Sequence, residues 1–291
     1  MVRPLRVQFP GAFYHVTSRG NEKRNVFYDE NDREIFLENF GEVCMSYNWC
    51  CYAYCLMDNH YHLFIETIDA TLAQGMRDLN GIYTQRFNQK YSRTGHVFQG
   101  RYKAFVVDSD AHFCEVARYV VLNPVRARLV SHPKDWKWSS YRHTAGYTKK
   151  SNWLAEDAIL STFSQDKKDA QKQYRQFIQA GIGDTSPFDR IREGMILGDE
   201  RFAYEVWERA GDVECNKELP RDERLIGRPS LDEIFEDITT KTERDDAIKF
   251  ARLRCGYLNA EIARYIHLDA GAVGKIVRET YYKSKKSRIQ T

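Results

Sequence analysis

The N-terminal half of the chain alternates between two apolar patterns. Some segments repeat apolar residues at every second position, which is typical of half-buried strands, and others repeat them at helical spacing. In chain order these segments predict a strand (13–19), a helix (31–47), two strands (49–56 and 60–66), a helix (72–91), a strand (102–107) and a further helix (109–122). This β-α-β-β-α-β order is that of the split ferredoxin-like fold. We therefore predict an α+β core whose sheet carries two helices on one face and leaves its other face open.

The chain beyond this core is predicted to be mainly helical. Gly227-Arg228-Pro229 marks a boundary, because glycine and proline interrupt regular elements. We predict three regions: a core domain over 1–148, an acidic helical linker over 149–226 and an all-α domain over 227–291.

Residues 259–278 have the pattern of a helix-turn-helix. Two apolar helical stripes flank a turn at Leu268 and Asp269. Asp269 can cap the second helix, because an aspartate at this position accepts hydrogen bonds from the first backbone N–H groups. The second helix would then present Lys275 and Arg278 to duplex DNA. The pattern alone also fits an ordinary helical hairpin.

The composition is that of a globular protein rich in aromatic side chains. Hydrophobic residues make up 42% and aromatic residues 13% of the chain, and aromatic rings are a common platform for stacking the bases of single-stranded nucleic acid. No apolar run is long enough for a membrane span, and no apolar segment behind the N-terminus resembles a signal peptide. Seven cysteines without CxxC spacing fit a reducing compartment. We expect a cytoplasmic location and no membrane partner.

Charge is distributed unevenly along the chain, although the formal net charge is only +3. Residues 86–150 hold 13 Lys+Arg and 4 Asp+Glu, a net of +9, and residues 251–291 hold 9 and 3, a net of +6. Residues 151–250 hold 15 and 23, a net of −8. Two basic regions are what a protein with two phosphate-contacting surfaces needs. Unevenly distributed, solvated surface charge is the alternative interpretation.

A histidine pair lies on the strand predicted over 60–66. Side chains alternate between the two faces of a strand, so His60 and His62 share one face while Tyr61 points to the other. Two neutral imidazoles on one face are a sensible half of a divalent-metal site. Histidines at this spacing also occur as ordinary surface or core residues.

The last predicted helix of the core offers a nucleophile. His112, Glu115 and Tyr119 are spaced three and four residues apart and form one polar stripe, which Asn123 extends by another turn. Asn123 could offer an amide oxygen to a metal. Because Asn123 precedes Pro124, its backbone is biased away from helical geometry, and we expect a distorted turn there. The alternative is a polar helix face that holds a half-buried tyrosine.

Five sequence blocks resemble the REP-associated tyrosine transposases. The blocks are PGAFYHVTSRGNEKRNVF (10–27), YCLMDNHYHLFIE (54–66), GHVFQGRYKAF (95–105), RYVVLNPVRARLV (118–130) and DWKWSSY (135–141). These proteins are single-tyrosine relatives of the insertion-sequence transposases, within the HUH nuclease superfamily. The resemblance covers about residues 1–148 and implies that this region is a catalytic domain with the ferredoxin-like HUH fold.

The resemblance implies roles for four residues. The family's histidine pair corresponds to His60 and His62, its nucleophile to Tyr119 and its third metal ligand to Asn123. Tyr61 stands at the central position, which a bulky apolar residue usually fills. The implied reaction cuts and rejoins single-stranded hairpin DNA with Mg²⁺ or Mn²⁺, through a 5′-phosphotyrosine intermediate. Such transposases recognise a hairpin and a short flanking tetranucleotide.

The C-terminal region, from Pro229 to about Lys283, resembles the DNA-binding domain of the bacterial replication initiator. This similarity implies duplex DNA as a second partner. The recognition helix of that family usually contains a polar Ser or Thr, which is replaced here by the run Gly271-Ala272-Val273-Gly274. Two of these residues are glycines, and each glycine weakens a helix by about 1 kcal/mol. Base-specific contacts are therefore less strongly implied than duplex binding itself.

Basic and polar residues near the implied active site are candidate DNA contacts. They are Arg19, Asn21, Lys23, Arg24, Arg101, Tyr102, Lys103, Arg126 and Arg128. We expect a monomer or a homodimer associated with the nucleoid. Two other functions are compatible with parts of the pattern. One is a DNA-binding protein or repressor that keeps the fold without turnover, and the other is a metal-dependent hydrolytic nuclease, which would not need Tyr119.

Overall fold

The computed structural model describes residues 7–149, 151–191, 195–210, 229–236, 238–255, 257, 259–269, 271–274 and 276. Of these, the residues up to 191 together with 195–206 form one compact unit, and the residues from 207 onwards belong to a second. No helix within these ranges has both the length and the apolar character needed to cross a bilayer.

A five-stranded sheet organises the first unit. Its strands are β1 (Ala12–Arg19), β2 (Trp49–Leu56), β3 (His60–Thr67), β4 (Lys103–Val107) and β5 (Ile196–Leu197). They lie in the order β2-β3-β1-β4-β5. The first four pair antiparallel, while β5 pairs with β4 in parallel. The antiparallel part has the strand order of the split ferredoxin-like fold, so the predicted α+β core is confirmed. The short edge strand β5 was not predicted.

Seven α-helices lie within the described residues up to 210, and the last four residues of the seventh belong to the second unit. They are α1 (Glu30–Ser46), α2 (Leu72–Lys90), α3 (Ser109–Arg126), α4 (Tyr141–Thr144), α5 (Glu156–Leu160), α6 (Lys167–Ala180) and α7 (Glu200–Ala210). The first three were predicted, and α3 begins at a sequence-encoded cap, because the Asp108 carboxylate accepts hydrogen bonds from the backbone N–H groups of Asp110 and Ala111.

Helix α3 is longer than predicted, because it continues through Pro124 to Arg126. Proline lacks the N–H group that would bond to the carbonyl of Val120. The Asn123 side chain supplies a substitute, since its Nδ2 donates to the carbonyl oxygens of Tyr119 and Val120, at 2.9 and 3.3 Å. The expected distorted turn at Asn123 is therefore wrong, and this local side-chain bond is the physical reason.

Both faces of the sheet are covered by helices. Tyr61 points to the face beneath α1 and α2, where its ring meets Phe36 and its hydroxyl donates to Asn80. We call this the helix-pair face. His62 points to the other face, which we call the histidine face, and its ring lies against Tyr119 of α3. The prediction of an open face is wrong, because α3 covers the histidine face. This face also carries apolar rings such as that of Phe64, and their burial beneath α3 is favourable.

The segment after residue 148 extends the same compact unit. Ile159 of α5 and Tyr174 and Ile178 of α6 are buried in one core with Val116 and Val120 of α3. The predicted boundary between 148 and 149 therefore falls inside a single compact unit, and the acidic segment contributes to its core.

The second unit is helical over its described residues. It comprises α8 (Leu231–Phe235), α9 (Lys241–Lys249), a π-helical turn (Phe250–Arg254) and α10 (Asn259–Tyr265), around a small core that includes Ile248, Ile262 and Val273. Asp269 accepts a hydrogen bond from the backbone N–H of Gly271, at 2.7 Å, as expected of a cap. Lys275 and Arg278 fall outside the residues whose side chains the structure describes.

Candidate active site

The histidine pair stands at the start of β3, on the histidine face. The rings of His60 and His62 are 4.9 Å apart between centroids and almost perpendicular, at 80°. His62 is buried, with 7% of its surface exposed, while His60 is partly exposed. The pair therefore has one ring inside the protein and one ring at its edge, as a site that receives a ligand from solvent requires.

The Nδ1 atom of each histidine is engaged by a neighbouring side chain. Nδ1 of His60 lies 2.7 Å from Oδ1 of Asn59, and Nδ1 of His62 lies 2.9 Å from Nε2 of His15. The outward nitrogen of His62, Nε2, is buried and has no hydrogen-bond partner among the described residues. A neutral imidazole nitrogen with a free lone pair is a ligand that divalent metals accept, so Nε2 of His62 is a candidate metal ligand.

Both histidines are held in the neutral form. Burial lowers the pKa of His60 to about 4, helped by the charge of Arg19 and opposed by that of Asp58. Burial, with smaller contributions from His15 and His60, lowers the pKa of His62 well below its ordinary value. A neutral imidazole has the lone pair that a metal ligand needs.

Tyr119 comes from α3 and packs edge-on against the buried imidazoles. Its ring centroid lies 6.0 Å from that of His62 and 5.7 Å from that of His15, with interplanar angles of 88° and 90°. The guanidinium of Arg126 lies 5.2 Å from the centre of the tyrosine ring. The predicted nucleophile and the predicted histidine pair are thus brought together by two elements that are distant in the sequence.

The pKa of Tyr119 is raised, and burial is the largest cause. A hydrogen bond with the Ser186 side chain and the charge of Arg126 act in the opposite direction, while the charge of Asp189 raises the pKa further. The surroundings of this hydroxyl therefore contain groups that favour the tyrosinate form and groups that oppose it.

A short segment around residues 185–190 covers Tyr119. Phe188 packs on the tyrosine ring at 4.9 Å and stacks on His15 at 4.4 Å, and the carbonyl of Thr185 accepts a hydrogen bond from Arg126 at 3.1 Å. Sequence reasoning missed His15, although its strand alternates as β3 does. It also missed Ser186 and Phe188, for which the local pattern gives no signal.

Comparison with known proteins shows what the region around this site is similar to. Residues 9–123 match the model of the family described as "Transposase IS200 like". This matched region, which is less than half of the chain, contains both strands and the helix residues that supply the imidazoles and the tyrosine, whereas Ser186 and Phe188 come from beyond it.

Two solved structures are similar to this chain at low identity. One is described as the REP-associated tyrosine transposase bound to a REP hairpin, with 14% identity and a TM-score of 0.44 over 53% of this chain and 92% of that one. The other is a protein of Deinococcus radiodurans R1 named as a transposase, with 14% identity and a TM-score of 0.30 over 41% of this chain and 95% of that one. None of the curated proteins compared with the chain matches it.

The loop after β1 lies beside the histidine pair. Arg19 is exposed and pairs in register with His60. The backbone N–H of Asn21 donates to Val97, and Nδ2 of Asn59 donates to the carbonyl of Lys23 at 3.1 Å. Arg24 is exposed and forms an ion pair with Glu22.

The other candidate DNA contacts lie at three places. Arg101 and Lys103 are exposed around the start of β4, and Tyr102 between them is partly buried. Arg126 lies over Tyr119, and Arg128 is exposed just beyond α3. Arg126 is thus placed at the tyrosine, while Lys275 and Arg278 lie outside the described residues.

The donor set of the histidine pair fits a divalent cation, although it is incomplete without another ligand. Among the described residues, no group of three or more His, Cys, Asp or Glu side chains is arranged to hold a metal. The two histidines would be completed by an amide oxygen, water or a phosphate oxygen, which Mg²⁺ and Mn²⁺ accept. Asn123 uses its Nδ2 on its own helix, so Oδ1 is the atom with which it would bind.

Proposed function

We propose that this chain is a transposase that cuts and rejoins single-stranded DNA through Tyr119. The observation that carries the proposal is the edge-on packing of Tyr119 against His62, whose buried Nε2 has no partner among the described residues. A phosphate bound at the edge of this contact would have both a nucleophile and a cation-binding nitrogen within its surroundings.

Three residues would hold the cation. His60 and His62 would bind Mg²⁺ or Mn²⁺ through Nε2, because their Nδ1 atoms are engaged, and Asn123 would bind through Oδ1. When bound, such a cation withdraws charge from a scissile phosphate. The separate functions of Asn123 can be tested with Asn123→Asp, which adds a carboxylate ligand but removes the Nδ2 bonds that support the helix. We expect cation affinity to be kept and the free energy of unfolding to fall by about 1 kcal/mol.

The chemistry assigned to Tyr119 is nucleophilic attack. Its hydroxyl oxygen forms a bond to phosphorus, the bond from phosphorus to the 3′ oxygen breaks, and the DNA stays attached as a 5′-phosphotyrosine. A second 3′ hydroxyl can reverse the step, which rejoins the strand. Tyr119 must first lose its proton, and Ser186 and Arg126 are the neighbours that favour that loss.

The proposed substrate is a single-stranded DNA hairpin with a short flanking segment. The basic residues around the site, such as Arg19, Lys103 and Arg126, would contact its phosphates. The C-terminal unit would bind duplex DNA through Lys275 and Arg278. The protein would act in the cytoplasm at the nucleoid, as a monomer or a homodimer.

One observation favours a second function, that of a DNA-binding protein without turnover. Phe188 and Ser186 cover the proposed nucleophile, and a repressor would have no need to expose it. The two functions differ in whether a covalent product forms.

A covalent-adduct assay tests the proposal. The full chain is incubated with Mn²⁺ and a labelled single-stranded hairpin library whose four flanking nucleotides are randomised, and the products are resolved on a denaturing gel. We expect a protein-linked band that Tyr119→Phe abolishes. The matched control is Tyr61→Phe on the helix-pair face, which should keep the band. Cleavage without a linked band would indicate hydrolysis, and binding without cleavage would indicate the repressor.

A further inference from the structure

His15 is a buried histidine to which the proposed reaction gives no function. It lies on β1, with 2% of its surface exposed. Its ring is nearly parallel to that of His62, with centroids 5.1 Å apart and planes at 10°. Phe105 and Phe188 stack against it at 5.8 and 4.4 Å, so its ring is held among other rings.

The hydrogen bond between His15 and His62 has two possible directions. A neutral imidazole carries one N–H group and one lone pair. If His62 donates from Nδ1, its Nε2 carries the lone pair that a cation needs. If His15 donates from Nε2, the proton of His62 sits on Nε2, and His62 cannot bind a cation.

Hydrogen-bond counting within the protein does not choose between the two directions. Nε2 of His62 and Nδ1 of His15 are both buried and have no partner among the described residues. Each direction therefore leaves one buried N–H group without an acceptor. A cation at Nε2 of His62 would select the first direction, because only that direction offers it a lone pair.

We propose that His15 is a positioning residue, which accepts the Nδ1 proton of His62 and so keeps Nε2 of His62 free for a divalent cation. The inference rests on the cation site of the proposed function. His60 has an equivalent arrangement, because Oδ1 of Asn59 can only accept, which places the His60 proton on Nδ1. Each proposed ligand would thus be oriented by one neighbour, as is usual for metal-binding histidines.

The environment of His15 suits an acceptor. The aromatic rings around it restrict its rotation, which fixes Nε2 opposite Nδ1 of His62 at 2.9 Å.

Cation affinity of the DNA-free full chain tests this function without using activity. Isothermal titration with Mn²⁺ would compare the wild type with His15→Leu, which cannot accept a hydrogen bond, and His15→Gln, which can accept through Oε1. We expect His15→Leu to bind Mn²⁺ about 10- to 100-fold more weakly, and His15→Gln to bind more tightly than His15→Leu. Equal affinity of His15→Leu and the wild type would overturn the inference.

Tyr14→Phe is the matched control, because Tyr14 is the next residue on the same strand and points to the helix-pair face. Its hydroxyl donates to the carbonyl of Val7 at 3.1 Å, so the variant loses one buried hydrogen bond without touching the histidines. We expect its Mn²⁺ affinity to equal that of the wild type. A loss as large as that of His15→Leu would assign the effect to general destabilisation and overturn the inference.

A second measurement needs no variant. Nitrogen NMR of the ¹⁵N-histidine-labelled wild type with Mg²⁺ reports which ring nitrogen of His62 carries the proton. We expect the proton on Nδ1, and a proton on Nε2 would overturn the inference. If the wild type binds neither cation and forms no DNA adduct, the proposed function fails as well. If it binds Mn²⁺ and His15→Leu binds equally, only the inference about His15 fails.

Discussion

Tyr14 and His15 are neighbours on β1, yet their side chains enter two different environments. Tyr14 points to the helix-pair face, where its hydroxyl donates to a backbone carbonyl. Tyr61 and Tyr83 on that side also have protein acceptors, since Tyr61 donates to Asn80 at 2.7 Å and Tyr83 donates to the carbonyl of Val26. The buried hydroxyls of Ser18 and Thr67, on the same face, have no partner among the described residues. His15 points to the histidine face, where its Nδ1 has no partner among the described residues.

Burial and unpaired polar atoms occur on both faces, so neither property alone distinguishes them. A polar group that is buried without a partner costs about 1–3 kcal/mol, whichever face it lies on. The histidine face differs in the kind of group it holds, because the unpaired Nε2 of His62 belongs to an imidazole that lies beside a tyrosine and two further histidines. This combination of groups, and not the absence of a partner alone, indicates a binding site.

The largest expected effect is found by comparing variants of His62 and Tyr61, which are adjacent on β3 and point to opposite faces of the sheet. His62→Gln keeps most of the side-chain volume but removes the imidazole, so we expect adduct formation with Mn²⁺ to fall at least about 100-fold. Tyr61→Phe should instead lower the free energy of unfolding by about 1–3 kcal/mol, because it leaves Asn80 without its partner. Urea unfolding and the gel assay, normalised to folded protein, measure the two effects. A Tyr61→Phe protein that loses the adduct as completely as His62→Gln would remove the distinction.

A smaller effect concerns the cover over Tyr119. Phe188→Ala exposes the tyrosine, and because burial is the main cause of its raised pKa, we expect the pKa of Tyr119 to move down towards its ordinary value. The measurement is a pH titration by NMR with ¹³Cζ-tyrosine label, in which Tyr119→Phe identifies the resonance.

The control for this titration is Phe177→Ala. Phe177 is a half-buried phenylalanine of α6 that packs beside Phe163 and Arg118. It should leave the Tyr119 titration unchanged. An unchanged titration in Phe188→Ala would show that this ring does not control the exposure of the tyrosine.

The smallest effect is a change in how stability depends on pH. A histidine in the unfolded chain has a pKa of about 6.5, whereas that of buried His15 is lowered to about 3. Between these values the unfolded chain binds a proton that the folded chain does not, so this residue makes the free energy of unfolding fall as the pH falls, by about 1.4 kcal/mol per pH unit.

A glutamine side chain binds no proton in this pH range, so His15→Gln removes the contribution of residue 15 to the pH dependence. Its free energy of unfolding should therefore fall less steeply than that of the wild type between about pH 6 and pH 5, by about the same 1.4 kcal/mol per unit. Urea unfolding at the two pH values provides the comparison. The control Tyr14→Phe should keep the wild-type slope, and equal slopes for wild type and His15→Gln would mean that His15 is protonated in the folded protein.

The sequence predicts those parts of the fold and the candidate site that depend on local pattern. The four antiparallel strands and helices α1 to α3 follow from apolar periodicity, and the shared face of His60 and His62 follows from strand geometry. The link from these residues to Tyr119 needed the family resemblance, because nothing local connects a strand to a helix many residues later.

Long-range packing and one local compensation explain what the sequence did not predict. The bond between His15 and His62 depends on the register of β1 against β3, and the contact of Phe188 with Tyr119 depends on how the chain returns after α6. The extension of α3 past Pro124 depends on the Asn123 side chain, whose Nδ2 group replaces the backbone hydrogen bond that Pro124 cannot donate. Helix propensity alone does not reveal this replacement.

The most direct test of the central claim is to locate the DNA attachment by mass spectrometry. Trypsin cuts after Arg118 and Arg126, and the peptide between these cuts, YVVLNPVR, contains Tyr119 as its only tyrosine. After reaction with the hairpin library and Mn²⁺, followed by nuclease trimming, we expect this peptide to carry the nucleotide mass. A nucleotide on any other tyrosine would contradict the assignment of Tyr119 as the nucleophile, as would strand cleavage that leaves every peptide unmodified.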